Sequence, residues 1–391
     1  MASPGERSRM TTTLYGGRMI GTEQTTVITT EGPLIASIER QLEPPQDGID
    51  IDGLLVAPGL IDIQINGAYG SDFTSDPASI WSIGARLPEQ GVTSFLPTII
   101  TAPPGTIDSA RAALASRPSD YRGAEPSGLH LEGPMLSPRR PGVHDPGLMR
   151  PPSLDLIEDW SRESVAMVTL APELAGSQAV IESLVDRGIV VAAGHTAAGM
   201  AEGEAGFRWG VSAVTHLFNA MEPFEHRAPG LIGAVVRDRV AVAGIIADGL
   251  HSDPAAVLAA WRMLGPSRLA LVTDAMAATG LGDGEYELGS IAVRVEEGRV
   301  TDKSGRLAGS TLTLDRAVRN LMDFAGCSGE EALAAASTVP AGLLGLSDRG
   351  RLSAGKRADL VLLNAEMEVV ATMVGGRFLY DRDGRTNDAV G

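Results

Sequence analysis

The chain has 391 residues, of which 43% are hydrophobic and 21% are charged. This composition is typical of a globular protein with a sizeable core, and at about 150 residues per domain the length predicts two domains. The formal net charge of -17 disfavours nucleic acid and anionic lipid as partners. The single cysteine, Cys327, excludes an intrachain disulfide. The N-terminal segment MASPGERSRM has no apolar core of the kind a signal peptide needs, and no later apolar run approaches the roughly 18 residues of a membrane span. We therefore expect a cytoplasmic protein.

Both ends of the chain have the pattern of short β-strands. From Thr12 to about Val56 the sequence is rich in β-branched residues and interrupted by turn residues, with no sustained helical period. From about Ala358 onward, segments such as DLVLLN and EVVATMV again have the length of a strand. The similar texture predicts that residues 1–56 and 358–391 share one small β-domain.

Between these ends, apolar runs of strand length alternate with helical stretches over residues 57–357. The alternation is typical of a parallel sheet with crossover helices, and eight such units are what a (β/α)8 barrel requires. A β-hairpin is predicted at about 285–307, followed by a helix that LAGSTLTL opens. The eight runs are LIDIQIN (60–66), GVTSFLPTI (91–99), GLHLEG (128–133), VAMVTLAPE (165–173), IVVAAGHT (189–196), VSAVTHLF (211–218), AVAGIIADG (241–249) and LALVTDAM (269–276).

Polar side chains stand at the predicted carboxyl ends of these runs, where a barrel collects its chemistry. Glu132, His195 and His216 offer a carboxylate and two imidazoles, a set that suits a divalent metal with one position left for water. Asp274, on the eighth run, is placed to move protons. Each residue alone also has a purely structural interpretation, as a buried histidine or a helix cap. Their convergence favours metal binding and catalysis, because unpaired burial of so many ionisable groups is costly.

Eight local motifs reinforce this interpretation, and they occur in the order PGLIDIQINGAYGSDF (58–73), GLHLEGP (128–134), GHT (194–196), THLFNAM (215–221), HRAPG (226–230), IADGLHSDP (246–254), VTDAMAATG (272–280) and LAGSTLTL (307–314). Together they resemble the N-acetylglucosamine-6-phosphate deacetylases, a family of the amidohydrolase superfamily. The resemblance runs from about Gly53 to Leu360. It implies a TIM-like (β/α)8 barrel with a small β-sandwich domain from both chain ends. It also implies metal-dependent hydrolysis of N-acetylglucosamine 6-phosphate to glucosamine 6-phosphate and acetate.

Carried over residue by residue, the resemblance implies roles for individual side chains. Glu132, His195 and His216 are implied to hold one divalent metal ion per subunit, with zinc the first choice and iron, manganese or cobalt as alternatives. Asp274 is implied to be the general base and then the acid, and His144 to polarise the amide carbonyl. The residues implied to bind the substrate are Val143, His144, Asn219, Ala220, Arg227, Asp248, His251, Leu307, Ala308 and Gly309.

The implied partner is a small phosphorylated amino sugar. Arg227 and His251 match the pair that binds phosphate in the family. In relatives this arginine can reach the site of the neighbouring subunit, which implies a homodimer.

The first run favours one metal ion rather than two. Many amidohydrolases carry His-x-His at this place and bridge a second metal through a carboxylated lysine, whereas Gln64 and Asn66 offer neutral amides. The only lysines, Lys303 and Lys356, lie outside the barrel strands. His130 points to the same face as Glu132, two residues away, and we expect it to support a ligand rather than to bind metal.

Two other functions stay open on the sequence. The chain could be an amidohydrolase for another N-acyl amino sugar, an N-acyl amino acid or a cyclic amide, and a neutral substrate would not need Arg227 and His251. It could also be an inactive scaffold that keeps the fold, although the retention of all four metal-site and proton-transfer residues argues against this.

Overall fold

The structure is a computed structural model that describes residues 11–45 and 47–386. Its strands are β1 (Thr11–Met19), β2 (Thr25–Glu31), β3 (Leu34–Arg40), β4 (Ile49–Asp50), β5 (Leu55–Pro58), β6 (Leu60–Ile65), β7 (Gly67–Ala68), β8 (Ser71–Asp72), β9 (Val92–Ile100), β10 (Glu125–Pro126), β11 (Leu129–Glu132), β12 (Val165–Leu170), β13 (Val190–Ala193), β14 (Ala213–Val214), β15 (Val242–Ile245), β16 (Leu269–Leu271), β17 (Gly284–Leu288), β18 (Ile291–Glu296), β19 (Arg299–Asp302), β20 (Leu360–Leu363), β21 (Val369–Val374) and β22 (Arg377–Asp381).

The α-helices are α1 (Ser79–Arg86), α2 (Thr106–Ala115), α3 (Ser177–Asp186), α4 (Met200–Trp209), α5 (Gly230–Arg237), α6 (Pro254–Leu264), α7 (Leu314–Ala325), α8 (Gly329–Ala335) and α9 (Thr338–Leu343). Short 3-10 helices cover Leu87–Gln90 and Leu154–Ile157. Within the described ranges, no helix combines the length and the apolar character needed to cross a membrane.

The two chain ends build one sheet, so they share a β-structure apart from the barrel, as predicted. Its eight strands run in the order β22-β21-β20-β5-β1-β2-β3, with β4 beside β1. The two ends meet where β5 pairs with β20 in antiparallel register, from Leu55 opposite Leu363 to Pro58 opposite Leu360. Side chains from both ends, among them Ile28 and Phe378, fill a core that is separate from that of the barrel. The domain boundaries at 1–56, 57–357 and 358–391 stay predictions.

Each of the eight apolar runs contains one strand of a parallel barrel, so the predicted fold class is confirmed. Strand β6 pairs with β9, and β9-β11-β12-β13-β14-β15-β16 continue around the ring. Strands β9 and β12 are buried along their whole length, because helices cover the outside of a parallel barrel. The ring is closed by the segment after β16: the Asp274 N–H donates to the Gln64 carbonyl and the Asn66 N–H to the Ala275 carbonyl, both at 2.8 Å.

The predicted hairpin carries a third strand, and the following helix begins later than expected. Strands β17, β18 and β19 form an antiparallel sheet, whose buried Val293 and Val295 pack in a small core together with Ile100. Residues 307–313 are not helical, because the Ser310 hydroxyl donates to the Thr273 carbonyl at 2.6 Å and accepts the Leu312 N–H at 3.0 Å. Helix α7 therefore starts only at Leu314, and the segment before it lies along the barrel mouth.

Candidate active site

Three predicted metal ligands converge at the carboxyl ends of their strands. Glu132 ends β11, while His195 and His216 follow β13 and β14 within two residues. Glu132 Oε1 lies 3.0 Å from Nε2 of each histidine, and the two Nε2 atoms are 3.1 Å apart. All three side chains are buried. One carboxylate oxygen and two imidazole nitrogens thus point at a single spot.

The hydrogen-bond partner of His195 indicates that a positive charge would suit this spot. The carbonyl oxygen of Arg140 lies 3.2 Å from His195 Nδ1 and can only accept, so the ring carries its proton on Nδ1. In the neutral ring Nε2 is then a bare acceptor, yet it lies against a carboxylate oxygen, which is also an acceptor. Burial raises the pKa of Glu132, but the neighbouring imidazoles of His195 and His216 outweigh it and hold the pKa well below its ordinary value. A divalent cation fits this donor set, which matches the nitrogen and oxygen ligands of catalytic zinc.

His144 lies beside this cluster but is oriented as a hydrogen-bond donor. The centroid of its ring is 4.3 Å from that of His195. One possible ligand atom each of His144, His195 and Glu132 lie within 4.8 Å of one another. The backbone N–H of Thr101 donates to His144 Nδ1 at 3.3 Å, so the neutral ring carries its proton on Nε2. Burial, followed by the charge of His195, lowers the pKa of His144 to about 3. A neutral ring with a proton on Nε2 can donate to an amide carbonyl, as predicted. The same proton makes Nε2 unsuitable as a fourth metal ligand.

The backbone at the site adopts conformations that most residues avoid. His195, His216 and Asp274 have φ values of 46°, 26° and 49°, in the left-handed region. Phe218 and Ala220, on the loop after His216, have φ values of 78° and 49°. Such conformations cost of order 1–3 kcal/mol each and tend to cluster at functional sites. Here they mark the points where the chain leaves a strand and enters the barrel mouth.

Asp274 faces the same cavity from the last strand. Burial raises the pKa of its carboxyl group, and the negative charge of Glu132 raises it further. A carboxyl group with a raised pKa suits a role in which it first accepts a proton and then donates it near neutral pH. The structure therefore places the Asp274 carboxyl group in the same cavity as the candidate metal ligands.

The predicted site residues fall into two groups in the structure. Most of them line one cavity at the carboxyl ends of the strands: Glu132, Val143, His144, His195, His216, Asn219, Ala220, His251, Asp274, Leu307 and Gly309. Arg227, Asp248 and Ala308 do not line it. Ala308 is fully buried between two lining residues, and its side chain belongs to the small core under the inserted sheet.

Asp248 acts on the cavity through His251. Its Oδ2 accepts a hydrogen bond from His251 Nδ1 at 2.7 Å, and its Oδ1 accepts two backbone N–H groups of the same turn. Burial raises the pKa of Asp248, but the hydrogen bond from His251 outweighs it and the pKa stays below its ordinary value. An ionised Asp248 therefore orients His251 and leaves its Nε2 for a ligand in the cavity.

Arg227 lies on an exposed loop, and no arginine or lysine is among the described residues that line the cavity. The same loop is tied to the one that carries His144. The Arg140 guanidinium donates to both carboxylate oxygens of Glu222, at 3.2 Å from Nε and 2.5 Å from Nη2. Arg140 and Glu222 thus connect two loops around the cavity mouth.

Several lining residues were not predicted from the sequence. Ile100, Gly142, Ile246 and Leu288 supply cavity wall, and nothing in an apolar residue at these places distinguishes wall from core. His130 is not a ligand, because Thr98 and Thr169 hydroxyls lie 3.3 Å and 2.8 Å from its two ring nitrogens. It lies in the barrel interior one layer below Glu132.

A parallel (β/α)8 barrel with a carboxylate, two imidazoles and a buried aspartate at its mouth is the architecture of a metal-dependent hydrolase. Sequence comparison agrees, since the profile of the Amidohydrolase family matches residues 55–379. The chain is 40% identical to the N-acetylglucosamine-6-phosphate deacetylase of Danio rerio, over 85% of this chain and 86% of that protein. It is also 40% identical to the enzyme of that name from Bacillus subtilis (strain 168), over 88% and 89%.

Solved structures give the same result. A crystal structure of N-acetylglucosamine-6-phosphate deacetylase from Pasteurella multocida matches with a TM-score of 0.89 at 29% identity, covering 94% of this chain and 99% of that one. An aspartate-to-alanine mutant of the Mycobacterium smegmatis enzyme, in complex with N-acetyl-D-glucosamine-6-phosphate, matches with a TM-score of 0.85 at 33% identity, over 95% and 99%. The chain belongs to the amidohydrolase family and, within it, to the N-acetylglucosamine-6-phosphate deacetylases.

Proposed function

We propose that the chain hydrolyses N-acetyl-D-glucosamine 6-phosphate to D-glucosamine 6-phosphate and acetate. The observation that carries this proposal is the meeting of Glu132 Oε1 with the Nε2 atoms of His195 and His216, in a cavity that Asp274 also lines. These groups can hydrolyse an amide, and the relatives at 40% identity are named for this deacetylation.

One divalent ion per subunit would be held by Glu132, His195 and His216, with zinc the first choice and iron, manganese or cobalt as alternatives. When bound, the ion supplies Lewis-acid activation of a water molecule and of the amide carbonyl. The neutral amides of Gln64 and Asn66 face this region from β6 and its end, which supports a single ion.

Asp274 moves the proton in both halves of the reaction. It takes a proton from the attacking water as the water oxygen bonds to the carbonyl carbon. It then returns this proton to the amide nitrogen as the carbon–nitrogen bond breaks, because an amine leaves poorly unless it is protonated. His144 donates its Nε2–H to the carbonyl oxygen, where negative charge develops.

The sugar and its phosphate are held by the remaining predicted residues. We assign sugar contacts to the backbone of Leu307–Gly309 and to Val143, Asn219 and Ala220, which border the cavity. His251, oriented by Asp248, would donate to the phosphate.

The position of Arg227 supports a homodimer. The residue is exposed on its own subunit and does not line the cavity, and no arginine or lysine is among the described residues that do. We therefore propose that Arg227 reaches the phosphate bound in the neighbouring subunit. The net charge of -17 makes such a local arginine important for an anionic substrate. We keep the cytoplasm as the proposed location.

The test is acetate release from metal-reconstituted protein. N-acetylglucosamine 6-phosphate and unphosphorylated N-acetylglucosamine are compared at equal concentrations, with N-acetyl amino acids as a third arm. We expect acetate from the phosphorylated sugar, with kcat/KM at least about 100-fold above that of the unphosphorylated one, the value of one charge-assisted contact pair. Equal rates with both sugars would remove the phosphate assignment, and acetate from the amino acids alone would replace the proposed substrate. A chain that binds metal and hydrolyses none of them would be a scaffold.

A further inference from the structure

Two side-chain amides bind one oxygen of the Asp274 carboxylate. Asn66 Nδ2 donates to Asp274 Oδ1 at 2.7 Å, and Gln64 Nε2 donates to the same oxygen at 3.2 Å. The Gln64 amide also donates to Glu132 Oε1 at 3.4 Å. Both amides are buried, with exposed fractions of 1% for Gln64 and 2% for Asn66. Neither has a role in the reaction as described above.

The orientation of these amides follows from their surroundings. A carboxylate oxygen accepts hydrogen bonds and does not donate them, so the NH2 group of each amide must face it. The NH2 group of Gln64 donates one hydrogen bond to each of two carboxylates, Glu132 and Asp274. These carboxylates repel each other, and the amide lies between them without adding charge. The shortest hydrogen bond from the Asn66 NH2 group goes to Asp274 Oδ1. The Oδ1 atom of Asn66 itself is buried without a partner among the described residues. Because Asn66 lines the cavity, this free acceptor adjoins the space for a ligand.

The second carboxylate oxygen of Asp274, Oδ2, has different surroundings from Oδ1. Within the described ranges no protein group donates a hydrogen bond to Oδ2, and Asp274 borders the cavity. An oxygen that already accepts two N–H groups is a poor place for a further proton, whereas an oxygen without a donor is open to one. The two oxygens of this carboxylate are thus made unequal by their neighbours.

We propose that Gln64 and Asn66 are positioning residues that bind Oδ1 of Asp274 and reserve Oδ2 for the proton. The proposal rests on the proposed deacetylation. As the water oxygen bonds to the carbonyl carbon, one water proton passes to Oδ2. As the carbon–nitrogen bond breaks, the same proton passes from Oδ2 to the amine nitrogen, and the carboxylate is regenerated.

The amide contacts are separable from closure of the barrel. The seam between the first and last strands is held by backbone hydrogen bonds of Gln64, Asn66 and Asp274, which do not involve their side chains. Replacing the Asn66 side chain therefore leaves these bonds in place. The change Asn66→Leu keeps about the same side-chain shape and removes the donor to Oδ1 without adding a charge, whereas aspartate at this place would share a proton with Asp274.

Kinetics give the first measurement. With N-acetylglucosamine 6-phosphate, Asn66→Leu and Asn66→Ala are expected to lower kcat by about 10- to 100-fold, the range for a hydrogen bond to a charged group. The KM is expected to stay within about threefold, because the phosphate contacts are unchanged. Asn364→Leu is the matched control, since Asn364 is half-buried, donates to Glu368 in the turn between β20 and β21, and does not line the cavity. A kcat for Asn66→Leu within threefold of that of the control would overturn the proposal.

A spectroscopic measurement is independent of activity. The chain has five asparagines, Asn66, Asn219, Asn320, Asn364 and Asn387, so protein labelled with 15N-asparagine gives five side-chain NH2 signals. The Asn66 signal is the one lost in Asn66→Leu. We expect one of its protons to resonate downfield, to exchange slowly with solvent, and to move upfield in Asp274→Ala. An Asn66 signal that Asp274→Ala leaves unchanged would overturn the contact even if the native chain hydrolysed no substrate at all. The deacetylation itself is judged separately, by acetate release from the native chain.

Discussion

Replacing Asp62 by asparagine is expected to change the stability of the protein in a pH-dependent way. Asp62 lies in the barrel interior on β6, two residues before Gln64, and is 1% exposed. Its Oδ2 is 2.6 Å from the Thr273 hydroxyl and its Oδ1 accepts the Gln64 N–H at 3.2 Å, with no cation among the groups that act on it in the described structure. Burial raises the pKa of this carboxyl from 3.8 to about 7. The folded protein therefore prefers Asp62 protonated.

The sign and size of the effect follow from this difference. Because the pKa is higher in the folded state, the unfolded chain loses the proton first, and the native protein loses stability as the pH rises from about 4 to about 7. The full difference corresponds to about 4 kcal/mol, of which about 2.5 kcal/mol falls between pH 5 and pH 8. Asparagine has the shape of the protonated acid and does not titrate. For a chain of this length, the melting temperature of Asp62→Asn relative to native should rise by about 3 °C between these pH values.

Calorimetry or circular dichroism at pH 5 and pH 8 measures this shift. Asp302→Asn is the control: burial raises the pKa of Asp302, but hydrogen bonds from Ser304 and Arg306 outweigh it and bring the pKa to about 2. Both its folded and unfolded forms are ionised at pH 5 and above, so its effect on the melting temperature should be the same at both pH values. If Asp62→Asn also shows the same melting difference at pH 5 and pH 8, the assignment of a protonated Asp62 is wrong.

Three further substitutions test the site. Asp274→Asn should lower kcat by about 10²- to 10⁴-fold with little change in KM, measured as acetate release, and near-normal turnover would contradict its role. Arg227→Ala should raise KM for the phosphorylated sugar. Mixing it with Asp274→Asn subunits should restore activity, and a failure to restore it in mixed dimers would place Arg227 in its own subunit's site. Arg140→Ala removes both hydrogen bonds to Glu222 and leaves that carboxylate only the exposed Arg139, whose Nη2 lies 3.5 Å from Glu222 Oε1. It should raise KM several-fold by loosening the loop that carries His144, and an unchanged KM would show that the loops hold without the Arg140–Glu222 pair.

The barrel could be predicted because its strands are buried on both faces and appear as continuous apolar runs. The lengths of the individual strands were harder to predict from the sequence. The run at 211–218 yields only Ala213–Val214 as strand, because His216 and Phe218 adopt left-handed backbone that cannot continue a sheet. The late start of α7 depends on a hydrogen bond from Ser310 to Thr273, residues far apart in sequence.

Some residues of the site could likewise be predicted from local sequence, and others depend on tertiary packing. Glu132, His195 and His216 could be predicted, since ionisable residues at strand ends are conspicuous and their motifs are specific. Leu288 could not, because it reaches the cavity only through the packing of the inserted sheet. The amides of Gln64 and Asn66 were recognised as poor metal ligands, but their contact with Asp274 depends on how the first and last strands meet.

The most direct test of the single-ion site is to titrate metal-free protein with zinc while measuring both bound metal and acetate release. One ion held by Glu132, His195 and His216 predicts that activity rises in proportion to bound zinc and stops rising at one equivalent per chain. Glu132→Gln should bind far less zinc under the same conditions. Activity that requires two equivalents, or full activity in the metal-free chain, would contradict the single-ion site.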